Sequence, residues 1–277
     1  MDPTTVVVGI KHKQPTALTF AAKAAVQRRG KLRIVHCLDI RTAADFVSVP
    51  YNTLPPESWR VAGETLVEDA RNVVGELDPS PDVEDVLADG LPVPTLRDES
   101  ADAAMLVVGL DAAAWFGPLF GDSVTERLIT HSAIPVAVVP ERPWPDAING
   151  PIFVAIDART PAAGPLRFAF AEASRTSAEL HVAHVVADSD LFHESQAHGV
   201  DVSEVLAGWS EEFPDVAVRH RYFFDEAGEG CVRASEEASL LVLGCRKTQI
   251  FGHPVLSEIA RRVHCPAVVV PDGWKAD

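Results

Sequence analysis

TVVVGIKHKQPTALTFAAKAAVQRRGKLRIVH, residues 5–36, and PIFVAIDARTPAAGPLRFAFAEASRTSAELHVAH, residues 151–184, decide the fold, because they are two copies of one pattern. Val8-Gly9-Ile10-Lys11 lines up with Val154-Ala155-Ile156-Asp157. Pro15 matches Pro161, Phe20 matches Phe168, and His36 matches His184. The far ends of the two halves also agree. Met105-Leu-Val-Val-Gly109 corresponds to Leu240-Leu-Val-Leu-Gly244, and the Pro-Val-Ala-Val-Val-Pro run ending at Pro140 corresponds to the Pro-Ala-Val-Val-Val-Pro run ending at Pro271. Blocks matching in the same order at both ends of each half mark an internal duplication. The join falls in the Pro-rich stretch 141–150, ERPWPDAING, which has the composition of a linker. This predicts two domains, 1–143 and 144–277.

Working outward from these stretches, short continuous apolar runs alternate with longer amphipathic ones. In the first half, strands are expected near 5–11, 31–38, 83–88, 104–109 and 135–139, with helices near 16–29, 57–77, 92–100 and 123–133. In the second half, strands are expected near 151–157, 179–186, 215–223, 239–244 and 266–270. Continuous rather than alternating apolar runs suit strands buried on both faces. Strands separated by helices give βαβ units and a parallel sheet. Each half is therefore read as an α/β doubly wound domain, a five-stranded parallel sheet flanked by helices. Ligands in such sheets sit beyond the carboxyl ends of the strands, at the switch point. The segments after strand 1 (Ile10–Pro15, Ile156–Pro161) and after strand 4 (Gly109–Ser123, Gly244–Pro254) are the ones to inspect.

The bulk numbers narrow the function. The 277 residues carry 24 basic and 40 acidic side chains, a formal net charge of −16, and 47% are apolar. A field of that sign opposes non-specific binding to nucleic acid or anionic membrane. No run approaches the 18 apolar residues of a transmembrane helix. The N-terminus, Met1-Asp-Pro-Thr-Thr, lacks a basic n-region and does not read as a signal peptide. Four scattered cysteines without a CxxC suit reduced thiols and a cytoplasmic location. No P-loop, GxGxxG or Gly-x-Ser-x-Gly elbow occurs. His181 and His184, three apart in a strand, point to opposite faces and do not converge on a metal. His36 and His184 read as core or site-lining residues. No catalytic residue and no metal ligand is assigned.

The segments after strand 4 resemble those of the universal stress proteins, whose ATP-binding members carry Gly-2x-Gly-9x-Gly-(Ser/Thr) there, before a helix and a Pro-Val strand. Counted from Gly109, the motif positions are Gly109, Ala112, Asp122 and Ser123, with Val124 opening the helix. The spacing is kept and two of the three glycines are replaced. Ala112 has less backbone freedom than glycine, and the Asp122 carboxylate would face the phosphates. Ser123 with Glu126 fits a capping box, and a helix N-terminus favours anions. In the second half the interval from Gly244 to Pro266 is four residues shorter than that from Gly109 to Pro135. Lys247 stands for the second glycine, and His253-Pro254 for Gly-Ser. This loop reads either as a charge-based anion site or as an ordinary strand-to-helix connection. Family members that bind ATP also keep an Asp after strand 1. The second half has it as Asp157, and the first half has Lys11, which with Lys13 would attract phosphate.

The resemblance covers nearly the whole chain and implies a tandem universal stress protein with an adenine nucleotide alpha hydrolase-like fold. It implies a regulator of stress adaptation that is not an enzyme beyond a very weak ATPase, binding ATP or AMP at degenerate sites or binding no nucleotide. It also implies pseudo-two-fold pairing of the domains through their last strands, 136–139 against 267–270, and possible assembly as a homodimer. The alternative is a stress or scaffold protein that works through protein contacts without nucleotide.

Overall fold

The computed structural model describes residues 4–39, 57–78, 80–110, 124–141, 150–156, 163–186, 202–224, 227–245 and 262–275. The first half contains β1 (Val6–Ile10), α1 (Pro15–Gln27), β2 (Lys31–Leu38), α2 (Glu57–Leu77), β3 (Asp82–Asp89), α3 (Pro92–Glu99), β4 (Met105–Leu110), α4 (Val124–His131) and β5 (Val136–Pro140). The second contains β6 (Ile152–Ile156), α5 (Ala163–Thr176), β7 (Leu180–Val186), α6 (Val202–Glu212), β8 (Val218–Phe224), α7 (Ala227–Glu237), β9 (Leu240–Cys245) and β10 (Ala267–Pro271).

The ten strands form one sheet in the order β3-β2-β1-β4-β5-β10-β9-β6-β7-β8. Pairing is parallel throughout each half. It turns antiparallel once, where β10 meets β5 with Ala267 opposite Val138, Val268 opposite Ala137 and Val269 opposite Val136. Residues 136–139 and 267–270 thus do lie antiparallel. All eight are buried, so these edges are covered by each other. The outer edges carry charge instead. On β3, Asp82 faces Lys31, Glu84 faces Arg33, and Asp89 faces Arg60. On β8, Arg219 pairs with Glu179 and Arg221 with Glu237.

Each sheet face carries a core that continues across the antiparallel seam. One contains Val8, Ala137, Val139, Val154 and Val268 beneath α1, α2 and α5. The other contains Val7, Leu106, Val138, Phe153 and Val269. The helices reach these faces by different means. α1 buries Ala17, Leu18, Ala21, Ala22, Ala24 and Ala25, a stripe at helical spacing made almost wholly of alanine. α5 buries Leu166, Phe168, Ala169, Phe170 and Ala173, and Phe170 stacks on Trp209 and Phe213 at 5.8 and 5.6 Å.

The two helices close in the same way. Arg29 and Ser177, repeat mates on the Phe20–Phe168 spacing, are left-handed at φ 51° and 54°. The next amides, Gly30 and Ala178, both bond back to the helix, to Ala25 O and Ala173 O at 3.0 Å each. This is a Schellman-type closure. Between the helices, the Arg28 guanidinium of α1 bonds the Glu172 carboxylate of α5, and Arg175 reaches the same oxygen. The Arg28 and Glu172 side chains are only 5% and 7% exposed. Burial pulls the Arg28 pKa below its ordinary value, and Glu172 offsets that pull.

Candidate functional site

In the first half the strand order reverses between β1 and β4, with β2 on one side and β5 on the other. The carboxyl ends of these strands bring together the segments after Ile10, Gly109 and Pro140, the crevice position of a doubly wound sheet. Lys11 is exposed, and its backbone amide donates to Gln14 Oε1 at 3.1 Å. Gln14 is buried at 3% exposure and folds against Gly109, where a Cβ would collide with its amide nitrogen. The first glycine of the expected phosphate loop is therefore occupied on one side by this chain's own glutamine.

A carboxylate that the sequence reading missed completes the floor. Glu141 follows β5, and its oxygens accept from the Thr16 amide at 3.2 Å and the Ala17 amide at 2.9 Å. Gln14, the N-cap residue of α1, makes no side-chain cap, so Glu141, 124 residues beyond Ala17, caps the helix instead. An anion there also suits the positive end of the helix dipole. A Cβ at Gly109 would lie 3.2 Å from Glu141 Oε1. Nearby, His36 Nδ1 is 2.9 Å from Ile10 O, so the carbonyl fixes the proton on Nδ1. His36 is half-buried at the end of β1. Cys37, the next residue of β2, packs on the opposite face of the sheet with Val35 and Val7, and burial pushes its thiol up to about 11.

Of the sequence-selected residues, Lys11, Gly109, Val124 and Gly244 are among those described, while Ala112, Asp122, Ser123, Asp157, Lys247 and His253 lie outside the described residues. Lys11 and Gly109 meet at the crevice through Gln14. Val124 is exposed at the start of α4. Lys13 is turned toward Asp69 of α2, 3.0 Å away. Gly244, the last residue but one of β9, pairs with Val270 of β10 at the corresponding place in the second half.

There the first helix begins differently. Asp272, which follows Pro271 as Glu141 follows Pro140, receives the Gly164 amide on its backbone oxygen at 3.3 Å. A Cβ at Gly164 would collide with Pro271 O, so glycine permits the close approach. The first crevice thus presents an amide, a carboxylate, an imidazole and an exposed ammonium. Such a set can hold the hydroxyls and ring edge of a polar small molecule. Among the described residues no cluster of three or more His, Cys, Asp or Glu could hold a metal, and no helix is long and apolar enough to cross a membrane.

The comparisons with known proteins agree in one direction. The model of the universal stress protein family matches residues 3–140 and again 149–271. Universal stress protein Rv2623 of Mycobacterium tuberculosis is 32% identical over 263 residues, covering 87% of this chain and 86% of that protein. Universal stress protein Rv2005c of the same organism is 29% identical over 258 residues, 86% of each. A solved universal stress protein from Archaeoglobus fulgidus shares the fold at a TM-score of 0.70 and 16% identity, over 96% of this chain and 95% of that one. The chain belongs to the universal stress protein family, as two family units in tandem.

Proposed function

We propose that the protein is a stress-adaptation regulator that responds to an adenine nucleotide in the first-half crevice, with the unit boundary at 143/144 and the two units paired about a pseudo-two-fold. The observation that carries this is the switch-point crevice itself. Gln14 and Glu141 converge on Gly109, from which the family's loop spacing runs to Ser123, while His36 is bonded to the Ile10 carbonyl at the end of the neighbouring β1. The polar floor suits a nucleoside. Glu141 accepts sugar hydroxyls through its remaining lone pairs, and Gln14 offers both donor and acceptor. The same carboxylate repels phosphate at the start of α1, which directs a phosphate chain toward Lys11 and the start of α4.

The test is mass spectrometry of ligand released from the purified protein, followed by calorimetric titration with ATP and AMP. The reading expects one of them to bind, and to bind at least tenfold more weakly to Gly109→Ala, whose new methyl displaces Gln14. Asp157→Ala, in the other half, should leave that binding unchanged. No released nucleotide and no heat at millimolar ligand would overturn the reading in favour of a scaffold acting through protein contacts.

A further inference from the structure

The seam between the halves holds a second cavity that the crevice does not use. It measures about 430 Å³, lies between α1 and α5, and is floored by Phe20, Met105, Phe168, Leu240 and Val268. That volume lies within the range of small-molecule sites, which favour interfaces between domains. Its origin is legible in the repeat. On the Phe20–Phe168 spacing, Ala24 is the mate of Glu172, Gln27 of Arg175, and Arg28 of Thr176. One helix bears large charged groups where the other bears small or neutral ones, so two similar surfaces meet without filling the space.

The wall's hydroxyls are set to accept, while the exposed Lys23 and Gln27 add donors. Thr19 Oγ1 donates its proton to Pro15 O at 2.7 Å, Thr176 Oγ1 to Glu172 O at 2.7 Å, and Ser239 Oγ to Pro151 O at 3.3 Å. Each hydroxyl is left with lone pairs only. Glu172 takes Arg28 and Arg175 on Oε1, and Oε2 has no hydrogen bond among the described residues. With its partners the carboxylate forms a cluster of two positive charges and one negative, which disfavours a cationic guest. We propose that this seam cavity is a binding site for a small, neutral, largely aromatic molecule bearing hydrogen-bond donors, held by the acceptor wall over an apolar floor.

Met105 supplies a local reporter. The chain has two methionines, Met1 and Met105, so a protein labelled with 13C-methyl methionine shows two methyl signals. Met105 starts β4, and Gly109 is four residues along it, roughly 13 Å at strand rise. The reporter therefore separates this cavity from the crevice. The probes are indole and 1-methylindole, equal in aromatic character but differing in the N–H donor. Indole should shift the Met105 signal saturably, and 1-methylindole should need at least a fivefold higher concentration. Ala24→Leu, which fills the cavity from its wall, should abolish the indole shift. Thr19→Phe, which fills it from the half-exposed rim, should do the same if the first variant does not fold. No shift at millimolar indole, equal response to both probes, or a shift that survives filling would each overturn the proposal.

Discussion

The first helices of the two halves, α1 and α5, end alike and begin differently. Both close on a left-handed non-glycine residue, Arg29 or Ser177, and both return the next amide to a carbonyl five residues back. At their starts, α1 is capped by the Glu141 side chain, whereas α5 is met by the Asp272 backbone. The closures are backbone geometry that several residue types can adopt, so they persist while sequence changes. The starts lie at the carboxyl ends of the strands, where one half uses a side chain and the other the backbone, so substitution has separated them. The frame of the duplication has been kept more faithfully than its sites.

The strongest way to break the comparison is at the Arg28–Glu172 contact, which has no mirror image. Removing one member of a buried ion pair costs about 3–5 kcal/mol, because the survivor keeps its desolvation penalty. Arg28→Met should lose that much, reduced to the extent that Arg175 still holds Glu172. Thr176→Val, at the mate position on an exposed helix end, should change stability by no more than about 0.5 kcal/mol. Urea denaturation measures both. Equal losses would show that the seam does not use the charge asymmetry.

Gly30 and its mate Ala178 come next. A Cβ on Gly30 would collide with the backbone carbonyl of Thr4, which cannot rotate away as a side chain can. Gly30→Ala should therefore destabilise by about 1–3 kcal/mol, the range for forced overpacking. Ala178→Gly should cost only about 0.5–1 kcal/mol, the entropy of an added glycine. If thermal melts show Gly30→Ala to be harmless, the β1 lead-in at Thr4 is looser than its counterpart in the second half.

Much of this frame was legible in the sequence. The apolar runs locate the strands to within a residue or three, since Val- and Leu-rich runs buried on both faces leave little choice of register. The seam was legible for the same reason. Two flat apolar edges need cover, and each supplies the other's. What stayed hidden depends on distance along the chain or on backbone angles. Glu141 reads as a linker acid until the sheet places β5 beside β4 and carries it to the start of α1, 124 residues away in sequence. Arg28 and Glu172, 144 apart, look like two solvated helix charges. Gln14 gives no signal at all, because its role is to fill the space over Gly109. The glycine rule for helix ends points to Gly30, one residue beyond the left-handed position that Arg29 occupies.

Glu141 sharpens the comparison at the sites. Glu141→Gln removes the charge from the start of α1 and leaves one acceptor oxygen for the Thr16 and Ala17 amides, so about 1–2 kcal/mol of capping stabilisation should be lost. The same change should strengthen binding of ATP more than of adenosine if the carboxylate repels phosphate. Asp272→Asn should have a smaller effect on stability, since its backbone oxygen makes the contact with α5. Calorimetric titration of both variants reads the difference. An unchanged ATP-to-adenosine ratio in Glu141→Gln would show that the phosphates do not approach α1.

The smallest expected effect tests the shared feature. A left-handed conformation costs an L-residue about 1–2 kcal/mol, and glycine avoids that cost while losing about 0.5–1 kcal/mol of its own entropy on folding. Arg29→Gly and Ser177→Gly should therefore each stabilise the protein by roughly 0.5–1 kcal/mol. Because the two positions have φ values of 51° and 54° and the same closing hydrogen bond at 3.0 Å, the gains should agree within measurement error. Both side chains are exposed, so little packing is lost to confuse the reading. Unequal gains in chemical denaturation would mean that the two helix ends, alike in backbone, are held by different neighbours, and that divergence has reached the frame as well as the sites.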